Sequence, residues 1–283
     1  MSSQKNECDA YQSVSICTVT RNRQAFLANL CSDIIKQDYP LEKIEWIVID
    51  DSEKPSYFSK EITSSPVKII HIPLSQRMPL GEKRNLANKI STGDIIVIMD
   101  DDDYYPPSRI KHAVESLNAK YYYQVAGCPM VPILDIYEET ITTLKTVISD
   151  KAPAATLSYR REVLELTGYD SLANYGEEDR FIEKANCPIL RLDPKQTIIS
   201  ISHSQNTINK NAYQLYNKNN VDVLSNLPPK LKFLCAKYRK LNAEVKRQNK
   251  DSSNHSNYPN KECSPWDELG IKSVECISLT SSE

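Results

Sequence analysis

The chain has 283 residues, 40% of them hydrophobic and 25% charged, with 35 Lys and Arg against 37 Asp and Glu. At about 100 to 200 residues per domain this is one large domain or two small ones, with a core that needs no disulfide staples. The formal net charge of −2 supplies no global field for nucleic acid, so nucleic acid is not expected as a partner and binding sites must be read locally.

The eight cysteines include no CxxC pair, and Cys17 lies in an apolar run. Reduced thiols in a cytosol-like compartment fit that spacing better than zinc or a disulfide framework. Met1 to Tyr11 is polar without a basic start and apolar core, and no window nears the roughly 18 apolar residues that cross a bilayer. The expected location is therefore cytoplasmic. Only six glycines are present, and Gly81, Gly93, Gly168 and Gly176 fall in or beside the motifs below, where backbone geometry can demand them.

From residue 14 to about 118, apolar runs Val14–Thr20, Ile44–Asp50, Val67–Ile72 and Ile95–Met99 alternate with helical spacing. Phe26, Leu30 and Ile34 mark the first helix, Gly81 to Ile90 the second, and Pro107 to Leu117 the third. Short apolar strands alternating with helices predict βαβ units, an α/β class and a mainly parallel central sheet flanked by helices.

The pattern changes near residue 120. Tyr121–Cys128, Val131–Tyr137 and Thr140–Ile148 read as successive strands with antiparallel or mixed pairing. Helices near Arg161–Thr167 and Glu178–Ala185 follow, with strands at Ile189–Leu192 and Thr197–Ser202.

Beyond Pro228-Pro229, Lys230 to Lys250 reads as a basic helical extension with Leu231, Leu234, Tyr238, Leu241 and Val245 on one stripe. Such a stripe serves packing against the body or self-association, or contact with a membrane surface or partner. Residues 251–283 are expected to be a flexible tail.

The acidic residues collect at the carboxyl ends of strands, where open α/β sheets bind ligands. Ile44–Ile49 runs into Asp50-Asp51-Ser52, and Ile95–Met99 runs into Asp100, Asp101, Asp102 and Asp103. Four consecutive carboxylates repel one another, and a cation such as Mg²⁺ or Mn²⁺, bound with diphosphate oxygens, offsets that cost. The alternative is a solvated acidic turn with Asp103 capping the next helix, and Asp50 and Asp51 alone suit an ordinary turn.

The order VSICTVTRNR (14–23), IVIDDS (47–52), PLGEKRNLA (79–87), GDIIVIMDDDDYYPP (93–107) and YGEED (175–179) resembles the family 2 glycosyltransferases of the GT-A fold, over residues 12 to 205 or so. The resemblance implies a catalytic domain over 12–227, with a nucleotide-binding half at 12–118 and an acceptor half at 119–227. It also implies a nucleotide-diphosphate sugar as donor, a divalent cation and inversion at the anomeric carbon.

Carried over by position, Thr18, Thr20, Arg21 and Asp51 would hold the base and ribose. Asp100 and Asp102 fill the outer positions of the family's DxD motif, Asp102 as metal ligand and Asp100 as ribose or sugar contact. The run of four leaves the register open by one residue, so Asp101 or Asp103 could share the task. Lys83, Arg84 and Asn85 would meet the diphosphate or donor sugar, or else form a solvated helix face.

Asp179 matches the second residue of the family's Glu-Asp pair and is expected to be the base that accepts the acceptor-hydroxyl proton, with Glu178 supporting it. The bland reading is that these acids open a helix at the positive end of its dipole. His203 would touch metal or diphosphate, or be structural. Tyr104 and Tyr105 could stack on sugar or pack as core, and 159–170 would lie beside the acceptor.

A UDP-sugar is the commonest donor in such enzymes, and the acceptor could be a glycan, a protein or a small molecule. The usual glycine between Asp51 and Ser52 is missing, and the absence of a Gln-x-x-Arg-Trp motif favours single addition over polymerisation. Two rivals are a sugar-nucleotide pyrophosphorylase, for which RNRQAF at 21–26 lacks a Gly-rich loop, and a sugar-binding module without turnover.

Overall fold

The computed structural model describes residues 11–145, 151–206, 210, 221–224, 226–253 and 275–277. The first four apolar runs form β1 (Val14–Thr20), β2 (Ile44–Asp50), β3 (Lys68–Pro73) and β4 (Ile95–Ile98). β1 pairs in parallel with both β2 and β4, and β2 with β3. These strands are buried on both faces, which is why they read as unbroken apolar runs rather than as alternation.

Helices cover the two faces. α1 (Gln24–Ile35) and α4 (Arg109–Ala119) place Leu27, Leu30, Ile34, Ile110 and Leu117 in one core layer with Ile16, Trp46 and Val97. α3 (Leu80–Ile90) and α5 (Glu177–Ala185) place Ala87, Phe181 and Ala185 in the other, with Ile47, Ile49 and Ile98. A short helix α2 (Lys60–Thr63) precedes β3.

The architecture changes at residue 120, as expected. β5 (Val125–Gly127), β8 (Ser158–Arg160) and β9 (Ile189–Arg191) extend the first sheet, which with β12 (Glu275–Ile277) at its edge has the order β12-β3-β2-β1-β4-β8-β5-β9. β8 runs antiparallel to β4 and β5, so the sheet is mixed and the two expected halves share it. A second sheet of order β10-β6-β7-β11 contains β6 (Met130–Asp135), β7 (Thr140–Lys145), β10 (Ser200–Ser202) and β11 (Val221–Leu224).

Several boundaries differ from the sequence reading. Tyr121 and Tyr122 are exposed ahead of a β5 of only three residues. The helix expected at 161–167 is a 3-10 turn over Arg161–Glu165. The strand expected at 197–202 is split, because Pro194 and the Asp193 cap, which accepts from Lys195 N, set up a short α6 (Pro194–Thr197) first. Residues 146–148 of the expected strand at 140–148 lie outside the described residues.

The C-terminal helix α7 (Pro229–Ser253) packs its stripe on the body: Leu234, Tyr238 and Val245 join Phe26 of α1, Leu134 of β6 and Ile201 of β10 in a third core cluster. The expected tail at 251–283 is corrected in part. Its residues Glu275–Ile277 form β12, antiparallel to β3 at the sheet edge.

Candidate active site

β1, β2 and β4 end side by side, so Thr20, Asp51 and the run from Asp100 to Asp103 meet in one crevice. It opens into a cavity of about 570 Å³, a usual size for a small-molecule site.

One wall of the cavity is a lattice of carboxylates and cations. Asp51 accepts from Lys83 Nζ at 2.8 Å and from Met78 N at 3.0 Å, while Arg21 donates to the Asp51 carbonyl at 2.6 Å. Arg23 Nη1 donates to Asp101 Oδ1 at 3.1 Å and Asp102 Oδ2 at 2.9 Å. Arg84 clasps Asp100 through two nitrogens, at 3.0 and 3.3 Å, and its Nε donates to Glu177 at 2.6 Å. Asp103 Oδ1 accepts from Ile201 N, Ser200 Oγ and Lys210 Nζ at 2.8, 3.1 and 3.0 Å, which ties the run to the second sheet.

Each of the four adjacent carboxylates is thus given a cationic partner, Asp101 and Asp102 sharing Arg23, which is how their repulsion is contained. Burial pushes Asp101 up to about 7 against the pull of Arg23, and Thr20 Oγ1 donates to it at 2.6 Å. Burial opposes ionisation of Asp102 too, but Arg23 and the hydrogen bond from His203 hold it well below the usual carboxylate range. Behind the site, Asp50 accepts from Ser52 N, Ser56 N and His71. It shapes the loop after β2 and does not line the cavity.

The opposite wall is built differently. Gly176, at φ +65°, turns the chain into α5, so Glu177 points back to Arg84 and Glu178 lines the cavity. Gly81 admits this approach, since a Cβ there would lie 1.8 Å from the Asp170 carbonyl oxygen. Burial, then the neighbouring Glu177, raises the Glu178 carboxyl above its ordinary range, and it makes no ion pair among the described residues. Tyr175 lines the mouth and is 73% exposed.

Several residues singled out in the sequence lie away from the cavity or are engaged elsewhere. Asp179 lies outside the cavity, exposed and paired with Lys151 at 2.9 Å. Thr18 is fully buried, donating to Met99 O and accepting from Trp46 Nε1, so its hydroxyl is taken up between strands and it does not line the cavity. Asn85 staples α3 to the Tyr169 backbone through both ends of its amide. Tyr105 is core, its hydroxyl accepting from Asp100 N at 2.7 Å, and Tyr104 bridges to Ile199. In the 159–161 stretch, Tyr159 is buried and Arg161 donates to the Ser91 and Gly93 carbonyls.

Thr20, Arg21, Asp51, Lys83, Arg84, Asp100, Asp101, Asp102 and Glu178 are brought together. Arg23, Arg77, Tyr175, Asn206 and Lys210 line the same cavity and were not singled out by the sequence reading. For Arg23 a signal was available, since it closes the TRNR motif three residues after β1. Lys210 and Asn206 are about 100 residues from their partners, and no local pattern marks them.

Asp102 and His203 are the residues that could hold a divalent cation. Asp102 Oδ2 lies 3.2 Å from His203 Nε2, so an oxygen and a nitrogen ligand are side by side. Arg23 and Asn206 share that oxygen and would have to yield. No cluster of three or more His, Cys, Asp or Glu suited to a metal occurs among the described residues, so phosphate oxygens would complete the shell, as is usual for magnesium.

Residues 15–169 match the model of glycosyl transferase family 2. The chain belongs to that family. An uncharacterized glycosyltransferase of Haemophilus influenzae is 28% identical over 122 residues, 42% of this chain and 40% of that protein. The poly(ribitol-phosphate) beta-N-acetylglucosaminyltransferase TarS of Staphylococcus aureus is 26% identical over 102 residues, 35% of this chain and 18% of that protein. The matches thus span well under half of either relative.

Among solved structures, mannosyltransferase PcManGT from Pyrobaculum calidifontis, in complex with GDP-Man and Mn²⁺, superposes with a TM-score of 0.53 at 15% identity, covering 90% of this chain and 81% of that one. TarS 1–349 in complex with UDP-GlcNAc gives 0.51 at 18% identity, covering 84% and 72%. At these identities the likeness establishes the GT-A fold.

Proposed function

We propose that this family 2 member transfers a hexose-type sugar from a nucleotide-diphosphate donor, a UDP-sugar in the first instance, to an acceptor hydroxyl, with Glu178 as the base. The observation that carries the reading is the contrast between the two walls of one cavity: ion-paired strand ends on one side, and on the other a carboxylate with no ion pair that burial has made more basic.

An acceptor hydroxyl is a poor nucleophile at neutral pH, and a carboxylate raised toward neutrality accepts its proton more readily than an ordinary one. The hydroxyl oxygen attacks the anomeric carbon as its proton passes to Glu178, and the bond to the leaving diphosphate breaks with its electron pair going to the phosphate oxygen. A single displacement of this kind inverts the anomeric centre, and no residue becomes covalently attached to sugar.

Thr20, Arg21 and Asp51 would contact base and ribose, with Asp100 on the sugar and Lys83 and Arg23 toward the diphosphate. A Mg²⁺ or Mn²⁺ ion at Asp102 and His203 would, when bound, stabilise negative charge on the departing nucleotide. Tyr175, exposed beside Glu178, would supply a flat face for the acceptor. The complexes of the fold relatives with GDP-Man and UDP-GlcNAc support a nucleotide sugar as donor class.

The test is a panel of UDP-glucose, UDP-GlcNAc and GDP-mannose with Mn²⁺ or with EDTA, followed by thermal shift and nucleotide release. One donor should raise the melting temperature and be slowly hydrolysed, in Mn²⁺ only. A panel in which no nucleotide sugar does either would overturn the reading.

A further inference from the structure

The net charge of −2 conceals a segregation. α7 carries eight Lys and Arg against two acids, which leaves 27 basic and 35 acidic residues in the rest of the chain. The helix is therefore a positive rod on an otherwise negative body.

Its apolar stripe, the face the sequence offered to a membrane, is covered by the body: Leu234, Tyr238 and Val245 are buried. The opposite face is the informative one. Phe233 is 67% exposed there, and Lys237 and Lys240 follow it at i+4 and i+7, on the same stripe of the helix. Lys230 and Lys232 lie three and one residues before Phe233 in the helix, and Lys237 feels the attraction of Asp33 of α1 and, less strongly, the repulsion of Lys36 at the end of that helix.

Lys36, Lys230, Lys232 and Lys240 are exposed, and none of these five lysines has a carboxylate within ion-pair distance among the described residues. Of the other cations of the helix, Arg239 pairs with Glu139, and Arg247 with Glu244. Lys230, Lys232 and Lys240 thus put three exposed charges without ion pairs among the described residues close to Phe233 in the helix.

We propose that this patch docks the protein on an anionic membrane surface, with Phe233 entering the headgroup layer and the lysines meeting lipid phosphates. An aromatic side chain set among lysines is the pattern by which a peripheral helix holds an interface, and clustered lysines are attracted to an anionic leaflet. A soluble polyanion would use the lysines but leaves Phe233 in water. The acidic remainder of the molecule is repelled by the same surface, so the attraction selects one orientation. None of this depends on the sugar-transfer reading, because no patch residue lines the cavity.

The experiment is co-sedimentation of the full chain with phosphatidylcholine vesicles, with and without the anionic lipid phosphatidylglycerol. Binding is expected only with the anionic lipid and should be released by about 0.5 M NaCl, which screens charges beyond a few ångströms. K230Q/K232Q/K240Q should weaken binding about 100-fold, at roughly fivefold per lysine, and F233S should weaken it several-fold. Both variants change exposed side chains and should melt at the parent temperature. Equal binding to neutral vesicles, parent-like binding by the triple variant, or capture of polyphosphate with no vesicle binding would each overturn the proposal.

Discussion

The two walls of the cavity use charge in opposite ways. On the strand-end wall, Asp51, Asp100, Asp101, Asp102 and Asp103 each have a cation or donor within hydrogen-bond distance. On the α5 wall, Glu178 is left without an ion pair among the described residues, and burial makes it more basic. Pairing fixes position but suppresses proton affinity, which suits the paired carboxylates to holding a ligand and Glu178 to the proton-accepting role proposed for it.

Arg84 joins the walls, and removing it gives the largest expected loss of stability. It is fully buried and bridges Asp100 to Glu177. Arg84→Ala leaves two carboxylates uncompensated, one of them deeply buried, and should cost about 3 to 5 kcal/mol in denaturant unfolding. A cost below about 1 kcal/mol would mean that the walls are held together by something else.

A second break concerns a buried carboxylate away from the site. Burial pushes Asp33 of α1 up to about 6, and its Oδ2 has no hydrogen-bond partner. Between pH 4 and 6 the native state therefore binds more protons at this residue than the unfolded state does, so stability falls as pH rises through that window. Asp33→Asn removes the penalty, and at pH 7.5 it should stabilise the protein by on the order of 2 kcal/mol, with no gain at pH 3.5. The opposite pH trend would show that Asp33 is held ionised by α7.

The smallest expected effect sharpens the acceptor wall. Tyr175→Ala should raise the acceptor KM several-fold, consistent with roughly 1 kcal/mol for an aromatic face, and leave donor hydrolysis unchanged. Tyr175→Phe should keep the parent KM. A change in donor KM would place Tyr175 on the donor side instead.

How much of this was legible in the sequence follows the same division. β1, β2 and β4 were readable because strands buried on both faces have no polar alternation to obscure them. The acidic strand ends could be located for the same reason.

The partners of those acids could not, since Lys210 reaches Asp103 across 107 residues and Asn206 reaches Asp102 across 104. Thr18 was placed by its position in the family motif, and nothing in the sequence shows that its hydroxyl is taken by Met99 and Trp46. At α5 the order Glu177-Glu178-Asp179 offered three carboxylates at a helix start, and which one faces inward depends on the turn at Gly176 and on Arg84 taking the first. That step of one residue separates the proposed base from a surface ion pair.

The direct test is therefore the pair Glu178→Gln and Asp179→Asn, assayed for sugar transfer with the donor selected by the panel and for binding of the same donor. The account predicts that Glu178→Gln loses about 10²- to 10⁴-fold in transfer rate with donor affinity retained, that Asp179→Asn stays within about twofold of the parent, and that the parent rate rises along a pH limb above the ordinary glutamate range of about 4.3. Transfer that survives in the Glu178 variant and vanishes in the Asp179 variant would contradict it.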